Sequence, residues 1–237
     1  MSERTHEMNV FLQEIKEKLK ISESTIRRDL NALDKAGKLN KVFGGAVAIE
    51  AGITTAEPSV AQKKGVNKEE KQLIARYAAA LITQDDFVYL DAGTTTGCMI
   101  DFITEKSATY VTNAVSHAQK LAAAGFRVYL IGGELKPTTE AVVGNQAILS
   151  LETLHFSKAF FGTNGVSLKA GFSTPDYEEA MVKKTAIGQA KKAYILADYS
   201  KFGNISSVTF EEFAKAQIIT DRKPPEAFLR SKNIIVA

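Results

Sequence analysis

Hydroxyls and cations placed to receive an anion are the most visible chemistry in this 237-residue chain. In Ser22-Glu-Ser-Thr-Ile-Arg-Arg-Asp-Leu-Asn-Ala-Leu-Asp-Lys-Ala-Gly37, the residues Ser24, Thr25, Arg27, Arg28 and Asn31 lie off the apolar side of a helix. Hydroxyl and guanidinium groups so placed reach phosphates or base edges in a DNA groove. In Asp91-Ala-Gly-Thr-Thr-Thr-Gly97, Gly93 permits close approach and Thr94, Thr95 and Thr96 bring hydroxyls beside the N–H groups that open a helix, a natural phosphate cradle. The pattern is neither a Walker A loop nor G-x-G-x-x-G, so no nucleotide cofactor is implied. Further on, Lys183 falls one or two turns along from Asp176 and Glu179, so a carboxylate and an ammonium can share one helix face. Each group also has a plain structural reading: a solvated helix face, a Thr-rich cap, acids answering a helix dipole.

The elements that must hold these groups can be read around them. Ser22 is a hydroxyl N-cap, Ile26, Leu30 and Leu33 recur at helical spacing, and Gly37 is a C-terminal stop. Val10 to Leu19 has Phe11, Ile15 and Leu19 at helical spacing, and Lys20-Ile21 leaves only a tight turn, the pattern of a helix-turn-helix. Lys38-Leu-Asn-Lys41 leads through Val-Phe into a Gly-Gly bend, suiting a small basic wing in which Lys38 and Lys41 add to the DNA face. From Lys16 to Gly45 there are eight Lys or Arg against four acids, a net of +4 where the whole chain is +3. Positive charge is thus concentrated in the 16–45 stretch while the remainder is near neutral, the footprint of a DNA-binding head.

Beyond a connector over 51–66, marked by Gly52, Pro58 and Gly65, apolar runs alternate with helical stretches: 87–90, 109–112, 127–131, 158–161, 193–197 and 217–220. This alternation predicts a parallel α/β sheet, whose ligand crevice lies beyond the carboxyl ends of the strands. The residues there are small or polar: Asp91 to Thr96, then Thr112 and Asn113, Gly132 and Gly133, Asn164, and Asp198 to Gly203. Lone Cys98 and the scattered His6, His117 and His155 offer neither an internal disulfide nor a metal cluster. With no signal peptide or spanning apolar run, a cytoplasmic protein without a membrane partner is expected.

The motif Ser22-Glu-x-Thr-Ile-Arg-Arg-Asp-Leu, with Gly37, Lys41-Val and Gly44-Gly-Ala, resembles the head of DeoR-type bacterial transcriptional regulators. Asp91-x-Gly-Thr-Thr, Gly132-Gly, Gly144, Gly171-Phe-Ser-Thr-Pro-Asp and Asp198-x-Ser-Lys-Phe-Gly extend the resemblance over nearly the whole chain. It implies an α/β protein: a winged helix-turn-helix head over 1–50, a linker over 51–66, and a sensor over 67–237 similar to ribose-5-phosphate isomerase and glucosamine-6-phosphate deaminase. Only Met1 to Glu7 precede the helix pair, so the head's first helix is expected to be missing or shortened.

The resemblance further implies that Asp91, Gly93, Thr94, Thr95 and Thr96 hold the phosphate of a sugar effector. Lys201 would lend a charge, and Asp176, Glu179 and Lys183 would lie near the sugar. Gly162-Thr-Asn-Gly165 and Thr139-Glu-Ala-Val-Val-Gly144 look most like fructose operon repressors, with lactose-system repressors next, which points to fructose 1-phosphate. A homodimer or homotetramer would then set the spacing of heads on operator DNA. The rival expectation is an enzyme, a sugar-phosphate isomerase or deaminase using Glu179 or Asp176 with Lys183. The basic head argues against it.

Overall fold

The computed structural model describes residues 9–35, 39–42, 45–48, 53–55 and 57–237. It divides into two compact units, Met1–Gly52 and Ile53–Ala237. The first runs β1 (Asn9–Phe11), α1 (Leu12–Leu19), α2 (Glu23–Lys35), β2 (Leu39–Val42) and β3 (Gly45–Ala48). Strand β3 pairs antiparallel with both β1 and β2, which forms the expected wing and adds a strand to it. Val10 and Phe11, expected in the first helix of the pair, are instead taken up by pairing with Ala46 and Gly45, and the helix begins at Leu12.

Ser22 opens α2 as anticipated, its Oγ accepting the Thr25 N–H at 3.3 Å. Ile26 and Leu30 are buried, with Ile15 and Ile21 packed on them. Leu33 and Leu19, read as part of this face, are 38% and 61% exposed. The eight-residue α1 is shorter than the thirteen-residue α2, about 12 Å of helix axis against about 20 Å. Met1 to Met8, Gly37, Lys38 and Gly44 lie outside the described residues.

The second unit opens with β4 (Ile53–Thr54), α3 (Val60–Lys64), α4 (Lys68–Ala80), β5 (Phe87–Leu90), α5 (Thr94–Met99), β6 (Thr109–Thr112), α6 (Val115–Ala123) and β7 (Arg127–Leu130). A hairpin, β8 (Glu134–Lys136) and β9 (Ala141–Val143), leads to α7 (Asn145–Glu152) and β10 (Lys158–Gly162). Then come β11 (Gly165–Ser167), β12 (Gly171–Thr174), α8 (Tyr177–Gly188), β13 (Ala193–Leu196), β14 (Ile205–Ser206), β15 (Val208–Glu211), β16 (Gln217–Thr220) and β17 (Ile234–Val236).

Seven of these strands form one parallel sheet in the order β17-β16-β13-β10-β5-β6-β7. All six anticipated runs belong to it, and β17 is the addition. Side-chain alternation divides its two faces. Tyr89, Ala159 and Phe161 join a core with α7 and α8, whereas Val88, Leu90 and Phe160 join one with α4, α5 and α6. The chain runs outward from β5 to β7 and then returns to β10 on the other side of β5. That reversal of direction beside β5 is where an open α/β sheet leaves a crevice.

At the opposite ends of β5 and β10, Asp86 closes the crossover. Its carboxylate accepts from Lys158, from the Thr83 N–H at 2.7 Å and from Ser157 at 2.7 Å. Burial alone would raise its pKa, but these donors hold it down to about 2 from an ordinary 3.8. A depressed carboxylate contributes stability that is present above its unfolded pKa and lost as pH falls through its folded one. The interval of about 1.8 pH units corresponds to about 2 kcal/mol. Asp86→Asn is therefore expected to lower stability at pH 7 by about that amount, and denaturant unfolding at pH 7 and pH 2 should show the difference shrinking in acid. An undiminished difference at pH 2 would remove the charge-based account.

Candidate functional site

The crevice beyond β5 and β10 is a cleft of about 310 Å³. The Asp91–Thr95 turn follows β5 and the Gly162–Asn164 turn follows β10, while α8, the 198–201 turn and α3 supply further walls. Of the residues singled out from sequence, Gly93, Thr94, Thr95, Asn164, Glu179, Lys183, Asp198 and Lys201 line it.

Asp91 sits directly beneath. It is 1% exposed, its Oδ2 accepts the Gly162 N–H at 3.1 Å, and it is ion-paired with Lys183. Burial pushes its pKa up, and Lys183 and the Gly162 N–H only partly oppose that. Asp91 therefore joins β5, β10 and α8 at the floor of the cleft rather than facing into it.

Asn113 has a comparable supporting place. Its side-chain oxygen accepts the Ala92 N–H at 2.8 Å and its nitrogen donates to the Val142 carbonyl at 3.2 Å. Thr96 is buried, and its hydroxyl turns back to the Gly93 carbonyl at 3.0 Å. The same carbonyl accepts from His117 Nε2 at 3.1 Å, so that nitrogen carries the proton. Burial pushes His117 down to about 4 and keeps it neutral at ordinary pH. Gly97 leaves room for this ring, since a Cβ there would come within 2.9 Å of Nε2. The Gly93–Gly97 turn is thus fixed from behind.

Thr112, Gly132, Gly133 and Asp176 do not line the cleft. Thr112 is buried and accepts the Ala114 N–H at 3.1 Å. Gly132 borders a separate groove beside β7 and α7. Gly133 has φ +152, and a Cβ there would come within 2.5 Å of the Val143 carbonyl oxygen, so glycine is required where the chain enters β8 beside the end of β9. Asp176 is the N-cap of α8 and accepts the Glu179 N–H at 2.9 Å. The cap is thus a carboxylate, and the hydroxyl residues just before it, Ser173 and Thr174, belong to β12. Asp176 also pairs with Lys136 at 2.9 Å, and Lys136 reaches Glu57 at 2.6 Å. Glu179 accepts from Thr139.

Two cations escaped the sequence reading. Lys63 on α3 and Lys71 on α4 line the cleft with Lys183 and Lys201. Burial pushes Lys63 down, and Lys183 and Lys201 add to this against Glu179 and Glu57. Lys71 is lowered by burial and then by Lys201. Among the described residues neither Lys63 nor Lys201 has an ion-pair partner within 4 Å. Desolvated cations that repel one another are relieved by an anion among them. Lys63 went unread because the 51–66 stretch looks like an extended connector. A capping box, Ser59-Val-Ala-Gln62, was the available signal, and both of its hydrogen bonds are present.

In the first unit, α2 presents Ser24, Thr25, Arg27, Arg28 and Asn31 away from Ile26 and Leu30. Ser22 Oγ lies 2.9 Å from both the Ser24 and the Thr25 hydroxyl. Arg27 pairs with Glu23 at 2.6 Å one turn back, and Arg28 contacts only its neighbour Asp29 at 3.3 Å among the ion pairs described. Lys41 lies in β2.

Comparison with known proteins gives matches to both units. Residues 6–51 match the DeoR-like helix-turn-helix domain and residues 66–222 the DeoR C terminal sensor domain. The chain is 45% identical over 212 residues to the uncharacterized HTH-type transcriptional regulator FruR of Bacillus subtilis, covering 89% of this chain and 84% of that one. It is 35% identical to the lactose phosphotransferase system repressor of Streptococcus mutans, covering 90% and 85%. Among solved structures, ribose 5-phosphate isomerase A of Methanocaldococcus jannaschii matches at TM-score 0.42 and 14% identity, over 57% of this chain and 55% of that one.

Proposed function

The chain belongs to the DeoR family of helix-turn-helix transcriptional regulators, and from that premise we propose that it represses a fructose-type utilisation operon under control of a phosphorylated sugar. In this reading the head, residues 1–50, holds operator DNA. Residues 51–66 link it to the sensor, residues 67–237, and a homodimer or homotetramer pairs the heads. The observation that carries the effector assignment is the cleft at the β5–β10 reversal, with Lys63, Lys71, Lys183 and Lys201 around one small space. Its volume of about 310 Å³ suits a single small ligand. Lys63, Lys71 and Lys201 would take the phosphate with the Thr94 and Thr95 hydroxyls, while Asn164 and Glu179 offer partners to sugar hydroxyls. Fructose 1-phosphate is the favoured effector, from the resemblance of the 139–144 and 162–165 motifs to fructose operon repressors.

The carboxylates in and around the cleft have other duties. Asp91 answers Lys183, Asp176 caps α8 and pairs with Lys136, and Glu179 accepts from Thr139. That arrangement supports holding a ligand rather than turning one over, and the relatives are named as regulators or repressors.

Titration with fructose 1-phosphate, fructose 6-phosphate, tagatose 6-phosphate and fructose, followed by heat and by thermal unfolding, tests the assignment. At 100 times Kd a ligand specific to the folded state adds about 2.7 kcal/mol of stability. Fructose 1-phosphate is expected to bind saturably and fructose not to bind. Lys63→Met and Lys201→Met should each weaken the sugar phosphate about tenfold, the scale of one charge-assisted hydrogen bond, with operator affinity unchanged. Failure of every phosphorylated sugar to bind would overturn the effector reading and leave the family assignment intact.

A further inference from the structure

The segment that continues from the head is built into the cleft. Pro58, Val60, Gln62, Lys63, Val66 and Asn67 form one of its walls, and four attachments hold them there. Ile53 and Thr54 of β4 pair in parallel with Ile205 and Ser206 of β14. Glu57 meets Lys136 at 2.6 Å, and the Val60 N–H donates to the Thr138 carbonyl at 3.2 Å. At the far end Asn67 adopts a left-handed backbone, φ +51, and its carboxamide donates to Asp198 at 3.0 Å and Ser200 at 3.3 Å. The two ends of the 53–67 strap are therefore fastened to the two ends of one loop, 198–206. That loop carries Lys201 into the same cleft.

We propose that residues 53–67 are the element that couples effector to operator, with Asn67 as its positioning residue: a ligand held between the strap and the 198–206 loop changes how firmly the strap is anchored, and the head continues directly from its first residue. The coupling rests on the proposed sugar-phosphate site. A ligand shifts an equilibrium only by its differential affinity for the two states, and this strap and loop both border the ligand. The geometry has a further consequence. Coupling is reciprocal in binding free energy, so operator DNA must alter effector affinity by the same factor as effector alters operator affinity, and both factors must vanish together when the strap is unfastened.

Thr54→Pro tests this. Proline removes the Thr54 N–H and disfavours the β4–β14 pairing at an exposed position that does not line the cleft. Operator affinity of the full chain is measured with and without fructose 1-phosphate, and fructose 1-phosphate affinity with and without operator. The expected result is unaltered effector affinity without DNA, unaltered operator affinity without sugar, and a coupling factor that falls from the wild-type value to below twofold. Asn67→Gly is the second variant. Glycine keeps the left-handed backbone but loses the carboxamide, and its coupling factor should fall too, whatever its own effector affinity. If wild type binds the sugar and both folded variants keep the wild-type coupling factor, the strap is overturned while the effector site stands. If wild type does not bind it, the effector reading fails and takes the strap with it.

Discussion

Lys183→Met is expected to lower the stability of the Ile53–Ala237 unit by about 3–5 kcal/mol, the scale for removing one member of a buried ion pair. Asp91 and Lys183 are 1% and 5% exposed and ion-paired to each other. Methionine fills the space of the lysine stem but leaves a carboxylate stranded at the meeting of β5, β10 and α8. The deficit has a characteristic pH dependence. Burial already pushes the Asp91 carboxyl above its ordinary value even with Lys183 present, and loss of the cation raises it further. A carboxyl whose folded pKa exceeds its unfolded one costs stability that grows as pH rises from the unfolded to the folded pKa. The gap between Lys183→Met and wild type should therefore narrow on going from pH 8 to pH 5 in denaturant titrations. The double variant Asp91→Asn with Lys183→Met should recover much of the loss, because no charge is then buried. A pH-independent gap with no recovery would mean that α8 loses packing rather than a counter-charge.

The same pair shows what could be read from sequence. Asp91 and Lys183 both stand out, one after an apolar run and one on a helix face, but only the fold brings residues 92 positions apart into an ion pair. The parallel strands were legible because buried runs such as Phe87–Leu90 and Ala159–Phe161 are apolar on both faces and followed by small or polar residues. The short pieces β8, β9, β11 and β14 outside that sheet were not, since two or three residues carry no period. Lys63 and Asn67 were hidden for a related reason: apolar periodicity reports packing against a core, and the 53–67 strap is held by caps, an ion pair and side-chain hydrogen bonds. In the head, α2 was legible from its cap and spacing, but the competition between helix and wing for Val10 and Phe11 was decided by pairing with β3.

Arg28→Ala is expected to weaken operator binding by about 10- to 100-fold, the range of one good base contact or charge-assisted hydrogen bond, while leaving fructose 1-phosphate affinity unchanged. The structure singles out Arg28 over Arg27. Arg27 already neutralises Glu23 one turn away, whereas the Arg28 side chain is 78% exposed beside Asp29. An exposed ion pair is worth at most about 1 kcal/mol, so Arg27 can exchange Glu23 for a phosphate, but it then leaves that carboxylate facing the DNA. Arg28 bears a smaller such debt. Binding isotherms over a range of salt concentrations separate its two possible roles. A phosphate contact predicts a salt slope shallower by about 1 and an equal loss on operator and random duplex. A base contact predicts a loss confined to operator at particular base pairs. Operator affinity unchanged in Arg28→Ala would show that α2 does not present this face to the groove, and the contact would have to come from elsewhere in the head.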